Sequence, residues 1–198
     1  MSTDIAALIG SRICHDLISP IGAIGNGMEL LSLTQTGTDT GPELSLVTES
    51  VDNANARIKF FRIAFGAGSG EHAIGNREMR QILGAIGRGG RLTYDWQVEH
   101  DQPRHTVRVA LLMLLCFETA MPLGGEITIR SDSTTWTLTG IGKRIHVDPD
   151  LWHGLDGTAS NHDFTPAQVQ FAMLPDAMKN IGLTPNLAHT ENEIIVRF

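Results

Sequence analysis

The strongest constraint on the fold is a pair of apolar stripes in the first 65 residues. In each stripe, apolar or small residues recur at alternating spacings of three and four, which is typical of a helix with one apolar face. A polar loop over residues 34–42 separates the stripes, and a glycine-rich stretch over residues 66–70 follows the second. The first stripe consists of Ala7, Gly10, Cys14, Leu17, Ile21, Ile24, Met28 and Leu31. The second consists of Leu44, Val47, Val51, Ala54, Ile58, Phe61 and Phe65.

Two helices of this kind cannot enclose a hydrophobic core by themselves, because each has a single apolar face. Two such hairpins packed together bury all of these faces in a four-helix bundle. We therefore predict that residues 1–68 form a helical-hairpin domain and that this domain makes the protein a homodimer.

Residues 74–198 have the mixed pattern of a second domain. An apolar helix over residues 105–121, ended by Pro122 and Gly124, is expected to pack on a sheet. We predict an α/β sandwich here, and the class of the whole chain is then α+β. The other predicted elements are helices over residues 76–88 and 165–180 and strands over residues 92–99, 126–130, 135–139, 144–147, 184–189 and 193–198.

The charge balance excludes some ligands. The net charge is -7 and no block of Lys and Arg is present, which argues against nucleic-acid binding. The longest strongly apolar run, residues 109–117, is too short to cross a bilayer, and the first residues lack a basic signal region. We therefore expect a cytoplasmic protein that does not insert into a membrane. Cys14 and Cys116 lie in apolar patterns and are expected to be buried free thiols.

A histidine on the first predicted helix is the best candidate for chemistry. With Cys14 and Leu17 on the apolar face, His15 points to solvent. Asp16 can hydrogen-bond one ring nitrogen, fix the tautomer and make the other nitrogen a better nucleophile, which suits acceptance of a phosphoryl group. The uncharged, mostly small residues around the histidine allow a partner to approach the backbone closely. This surface, the His15 strip, consists of His15, Ile18, Ser19, Gly22, Ala23 and Asn26.

The residues alone leave other interpretations open. A surface histidine followed by an aspartate is common, and it often has no catalytic role. Ser19 suggests acyl transfer, but a serine and a histidine on one helix lack the orienting acid and the oxyanion hole of that chemistry. The remaining histidines have no HxxxH or HExxH spacing, so we expect no metal site.

The segment from His15 to Ile21 resembles the H-box of sensor histidine kinases. That motif has a phosphoacceptor histidine, an acid, two variable residues, a small polar residue, a proline and an aliphatic residue. The resemblance implies that His15 is phosphorylated, that Asp16 assists it and that Ser19 lies near the transferring phosphoryl group. Pro20 fits the motif although it removes a helical amide donor and leaves the carbonyl of Asp16 without its usual partner.

The second half resembles the GHKL-type ATP-binding domain of such kinases in the order and spacing of its elements, but it lacks the nucleotide-binding residues. The helix over residues 105–121 has no asparagine, which the kinases use there to hold magnesium. The segment Gly140-Ile-Gly142 keeps a glycine pair without an aspartate to bind adenine, and no second glycine-rich segment follows. We therefore expect a degenerate domain that binds no ATP and no other cofactor.

A histidine-kinase-like chain with an H-box and no ATP site resembles the ChpT-type histidine phosphotransferases over essentially its whole length. The resemblance implies a cytoplasmic homodimer that takes a phosphoryl group from the receiver domain of a hybrid histidine kinase and passes it to response regulators. Mg²⁺ is then expected to come with the receiver. We expect receiver contacts at Arg12, Ile18, Gly22, Ala23 and Asn26. Two alternatives stay open: a divergent histidine kinase that uses ATP, and a non-catalytic dimeric adaptor that binds receivers.

Overall fold

The structure is a computed structural model that describes residues 4–33, 41–66, 73–132, 134–156 and 163–198. Most of the predicted polar loop, most of the glycine-rich stretch and the predicted boundary between the domains lie outside the described residues. So do His72 and His162.

The two predicted N-terminal helices are confirmed. Helix α1 spans Ile5–Leu33 and helix α2 spans Gly41–Ala64, and the two pack side by side along their length. Asp4 caps α1, since its carboxylate accepts a hydrogen bond from the backbone N–H of Ala7 at 3.1 Å. The helix continues through Pro20, which is one of its two buried residues.

Each predicted stripe divides into two rows with different surroundings. The inner row of α2 packs within the chain, with Ala54 and Phe61 buried. The outer rows have a spacing of seven residues and are exposed, with Ile21 at 58% and Leu44 at 56%. The prediction of a buried thiol is confirmed for Cys116 and wrong for Cys14, because Cys14 belongs to an outer row. The outer rows are Cys14, Ile21 and Met28 on α1 and Leu44, Val51 and Ile58 on α2.

The main elements of the second half are helices α3 (Asn76–Gly87), α4 (Arg104–Ala120) and α6 (Val169–Lys179) and strands β2 (Leu92–Trp96), β4 (Gly125–Ser131), β5 (Trp136–Gly142), β6 (Asn186–His189) and β7 (Glu193–Arg197). The five strands form one sheet of order β2-β4-β5-β7-β6. Strands β2 and β4 are parallel, and the other neighbouring pairs are antiparallel. Alternate residues of the central strands, such as Ile127, Leu138 and Val196, are buried in one core cluster with helices α3, α4 and α6. This confirms the predicted α+β class.

Three local details differ from the prediction. Residues 144–147 form no strand, because the N–H of Ile145 donates to the carbonyl of Glu191 and that of His146 donates to the carbonyl of Ala120. The helix predicted from residue 165 begins with a 3₁₀ turn, Pro166–Gln168, before α6. Four short elements have no counterpart in the prediction. They are β1 (Ala73–Ile74), which pairs with β3 (Gln102–Pro103), α5 (Pro149–Trp152) and a 3₁₀ turn, His153–Asp156.

The hairpin and the second half share one apolar core. One face of the last third of α2 is buried, and Phe60, Phe61 and Ile63 belong to the same cluster as the sheet. Two arginines at the start of α4 cap the end of α2. Arg104 Nη2 donates to the carbonyl of Arg62 at 2.7 Å, and Arg108 Nε donates to that of Ala64 at 3.2 Å. These contacts fix the position of α4 relative to the hairpin.

We predict that Gly27→Ala destabilises the hairpin. A Cβ at Gly27 would lie 2.5 Å from Val47 Cγ2, so α1 and α2 would have to separate or Val47 would leave its preferred rotamer. The free energy of urea unfolding at fixed protein concentration should fall by about 1–2 kcal/mol. Gly22→Ala on the same helix meets no atom within 4 Å and should raise the value by up to about 1 kcal/mol. Equal effects of the two substitutions would contradict the close packing at Gly27.

Candidate active site

The predicted phosphoacceptor lies on the exposed side of α1. The His15 side chain is 84% exposed, and its Nδ1 is 3.0 Å from Asp16 Oδ1. A proton on Nδ1 is donated to Asp16 in this geometry, which leaves the lone pair of Nε2 available to a partner. The predicted hydrogen bond between the two side chains is therefore present.

Asp16 is itself held in place by Arg12. Arg12 Nε donates to Asp16 Oδ2 at 2.8 Å, one helical turn earlier on α1. Both side chains are only 12% exposed, so this ion pair is better shielded from solvent than a typical surface pair. Each carboxylate oxygen of Asp16 thus has its own partner, with His15 on Oδ1 and Arg12 on Oδ2.

The second half of the chain reaches this site through Glu118 on α4. Arg12 Nη2 donates to Glu118 Oε2 at 2.8 Å, and Arg12 Nη1 donates to the carbonyl of Ala167 at 3.3 Å. The other carboxylate oxygen of Glu118 accepts from the Tyr94 hydroxyl at 3.0 Å. We call the set His15, Asp16, Arg12, Glu118 and Tyr94 the Glu118 network.

Tyr94, on β2, is partly buried and packs against the hydrophobic core. Burial raises the pKa of its phenol well above the ordinary value, and the negative charge of Glu118 and its hydrogen bond raise it further. The positive charges of Arg57 and Arg91 act in the opposite direction. The phenol therefore keeps its proton and remains a donor to Glu118 at neutral pH.

A cleft of about 770 Å³ opens beside His15, between α1 and the second half. Its charged lining consists of three arginines, Arg12, Arg57 and Arg91, against two carboxylates, Asp16 and Glu118. The cleft therefore has a positive balance while His15 is neutral. Arg57 Nε donates to Asn53 at 2.9 Å, and Arg91 Nη2 donates to the backbone carbonyl of Glu118 at 3.3 Å. Such a lining suits an acidic partner.

The structure places the other predicted residues in two settings. Ile18, the one large apolar residue of the strip, is 68% exposed, and Ser19, Gly22 and Asn26 are also exposed. Ala23 is half-buried. Arg12 differs from the other expected partner contacts, because its guanidinium is engaged by groups of its own chain.

Glu118, Tyr94, Arg57 and Arg91 were not predicted from the sequence to lie at the site. Arg57, on a helix face, and Tyr94, within an alternating strand, have no local pattern that distinguishes them. Glu118 has a weak signal, because it is the single charged residue in the otherwise apolar stretch of α4 after Arg108. A charge there needs a partner, but the partner lies 106 positions away in the chain.

The described residues contain neither a metal-binding cluster nor a membrane-spanning helix. Within those ranges, no three or more His, Cys, Asp and Glu side chains are grouped so that they could hold a metal ion. No helix in the described part of the chain is long and apolar enough to cross a membrane.

Comparisons with known proteins agree on one family. Residues 76–193 match the profile described as the histidine phosphotransferase C-terminal domain. Over 173 residues, the chain is 34% identical to the protein phosphotransferase ChpT of Brucella abortus (strain 2308), covering 84% of this chain and 81% of that protein. A solved structure of a bacterial phosphotransferase superposes with a TM-score of 0.77 at 30% identity, covering 100% of this chain and 96% of the other.

We predict that Glu118→Gln lowers the pKa of Tyr94, because the substitution removes the negative charge that opposes ionisation of the phenol. Tyr94 is the only tyrosine, so the ultraviolet absorbance of tyrosinate reports on it alone. Glu193→Gln, a substitution on β7 outside the network, serves as the control and should leave the titration unchanged. An identical titration curve for Glu118→Gln and the unsubstituted protein would show that Glu118 does not face Tyr94 in solution.

Proposed function

Because this chain belongs to the histidine phosphotransferase family, we propose that His15 is the residue that carries the phosphoryl group. The observation that supports this assignment is that the His15 side chain is exposed while one of its ring nitrogens contacts the carboxylate of Asp16. His15 is 84% exposed on α1, and its Nδ1 lies 3.0 Å from a carboxylate that is held from behind by an arginine. Histidine phosphotransferases of two-component systems work with receiver domains and response regulators, and the His15 strip is the surface we assign to them.

The proposed reaction is an in-line transfer from the aspartyl phosphate of a receiver. The lone pair of His15 Nε2 attacks phosphorus, an N–P bond forms, and the P–O bond to the receiver aspartate breaks so that the aspartate leaves as a carboxylate. The proton on Nδ1 stays between His15 and Asp16. The phosphorylated ring then carries a positive charge that the Asp16 carboxylate stabilises. The reverse step loads the aspartate of the next receiver.

The remaining predicted residues have roles in docking. Ser19 is exposed one turn after His15, where its hydroxyl can donate to a phosphoryl oxygen. Ile18 supplies apolar contact, while Gly22 and Ala23 lack bulk and Asn26 offers a neutral polar group. The positive balance of the cleft attracts the acidic pocket of a receiver. We propose that this pocket brings its own Mg²⁺, and that the first donor is the receiver of a hybrid histidine kinase.

We further propose that the second half does not use ATP. An aromatic cluster supports this: the ring centroids of Phe117 and Trp152 are 6.2 Å apart, and those of Trp152 and Phe171 are 5.7 Å apart. All three side chains are buried, and they pack α4, α5 and α6 together. Phe117 belongs to the helix on which the resembling kinases carry their magnesium-binding asparagine.

Homodimerisation through the hairpin is the third part of the proposal. The outer rows of α1 and α2 are apolar and exposed in the single chain. Seven residues make about two helical turns, so each row runs almost straight along its helix and offers a continuous seam. Packing the rows of two chains together completes the four-helix bundle and leaves the His15 strip on the outside.

Transfer can be tested with a radiolabelled phospho-receiver. We expect the unsubstituted chain to acquire acid-labile label and His15→Ala to acquire none. His189→Ala, at an exposed histidine of β6, is the matched control and should keep the label. Label that enters His15 from ATP alone would support a divergent kinase. Receiver binding without any transfer of label would support a non-catalytic adaptor.

The dimer can be tested by placing charges in the outer rows. Ile21→Asp combined with Val51→Asp should convert a dimer into a monomer at micromolar concentration in analytical ultracentrifugation, because two chains would bury four unpaired carboxylates. Both positions are exposed in the single chain, so its fold should survive. Leu123→Asp, at an exposed apolar residue of the second half, should remain dimeric. A monomeric unsubstituted chain, or a doubly substituted chain that stays dimeric, would contradict the proposed interface.

A further inference from the structure

We propose that Glu118 is a positioning residue for phosphoryl transfer at His15. The inference rests on the proposed role of His15 and adds a residue from the other half of the chain. Glu118 acts through Arg12, Arg12 acts through Asp16, and Asp16 determines which ring nitrogen of His15 carries the proton.

The argument begins with how Arg12 contacts Asp16. An arginine beside a carboxylate commonly uses two parallel N–H groups and occupies both carboxylate oxygens. Here only Nε reaches Asp16, on Oδ2, because Nη2 is bound to Glu118 at 2.8 Å and Nη1 to the carbonyl of Ala167 at 3.3 Å. Oδ1 of Asp16 is therefore left to His15. Glu118 keeps Arg12 from competing for the oxygen that His15 needs.

The charges lead to the same conclusion. Arg12 lies between two carboxylates, and the side chains are shielded, with Arg12 and Asp16 at 12% exposure and Glu118 at 20%. With Glu118 charged, the positive charge of Arg12 is shared between two carboxylates. Arg12 then offsets less of the negative potential that Asp16 exerts on the phosphorylated imidazole ring. With a neutral side chain at position 118, Arg12 would be balanced by Asp16 alone.

Glu118 is itself well suited to hold a fixed orientation. It belongs to the last turn of α4, a helix whose preceding residues are fully buried, and Tyr94 donates to its second oxygen at 3.0 Å. Because burial and the charge of Glu118 keep the pKa of Tyr94 high, this donor is present throughout the neutral range. Rigid elements therefore position the carboxylate, and they do so from the half of the chain that lies outside the H-box helix.

Glu118 could instead have a purely structural role, in which its ion pair with Arg12 is one of several contacts between the two halves. That role makes a different prediction. Loss of such a contact would lower the free energy of unfolding but leave the tautomer of His15 unchanged in the folded protein. Arg104 provides the comparison, because its Nη2 also joins the two halves, at the carbonyl of Arg62, and it has no contact with the Glu118 network. Arg104→Gln removes this hydrogen bond between the two halves and leaves the residues of the Glu118 network unchanged.

The test compares Glu118→Gln and Arg104→Gln in the 198-residue chain labelled with ¹⁵N-histidine. Ring ¹⁵N shifts are recorded at about pH 8, above the ordinary titration range of imidazole. We expect the proton of His15 on Nδ1 in the unsubstituted chain and in Arg104→Gln. In Glu118→Gln, where the neutral amide holds Arg12 more weakly, we expect a shift towards the Nε2–H tautomer. Near-ultraviolet circular dichroism verifies that each variant is folded.

Single-turnover transfer from a phospho-receiver gives the second readout. Glu118→Gln should lower the maximal rate by about 10- to 100-fold, as commonly follows the loss of a group that orients a functional side chain. It should not raise the half-saturating receiver concentration, because removing a negative charge makes the cleft lining more positive. A folded Glu118→Gln variant with an unchanged tautomer and rate would overturn the inference. So would equal losses in Arg104→Gln. Failure of the unsubstituted chain to take label on His15 would instead overturn the proposed function, while the tautomer comparison would still decide the role of Glu118.

Discussion

The burial of α4 is the constraint on which the rest of the structure depends. Nearly every residue from Val109 to Phe117 is inaccessible to solvent, and the helix contacts α2, α6 and the sheet. Each large apolar side chain buried in this way contributes roughly 1.5–3 kcal/mol, so the helix cannot rotate or slide without a large loss. Glu118 follows directly after this stretch. Its carboxylate reaches α1 because the helix is fixed by the packing of its neighbours.

Three faces of the two N-terminal helices have different surroundings. The inner rows pack within the chain, the outer rows are exposed in the single chain and form the surface that we propose for dimerisation, and the His15 strip faces solvent. Small residues permit these surfaces to lie close together. Gly27, for example, allows Val47 to approach the backbone of α1, whereas Gly22 has open space around it. The same residue type therefore serves packing at one position and access at another.

Periodicity predicted most of the elements, because helices and strands bury apolar residues at characteristic spacings. It also placed His15 on the exposed side of α1, since that follows from the helical phase alone. Periodicity could not separate the inner row from the outer row, because both are apolar, and the exposure of Cys14 was predicted wrongly for that reason. The short helix α5 has too few residues to show a period.

The contacts that complete the site could not be predicted, for a different reason. Arg12 and Glu118 are 106 positions apart, and no local pattern links a charged residue on one helix with a charged residue on another. They are brought together by the packing of α4 against α2 and by the packing of α1 against α6 and the 3₁₀ turn that precedes it. The pairing of β1 with β3 is hidden in the same way, because a two-residue ladder leaves almost no trace in the sequence.

The Glu118 network gives the second half of the chain a direct connection to the side chains around His15 on α1. An isolated helical hairpin could expose His15, but Arg12 would then be free to occupy both oxygens of Asp16. Docking of the second half supplies a competing carboxylate and a backbone carbonyl, which divide the donors of Arg12 among three acceptors. In the role that we propose for Glu118, the hydrogen bond between His15 and Asp16 depends on the whole fold and not only on the helix that carries both residues.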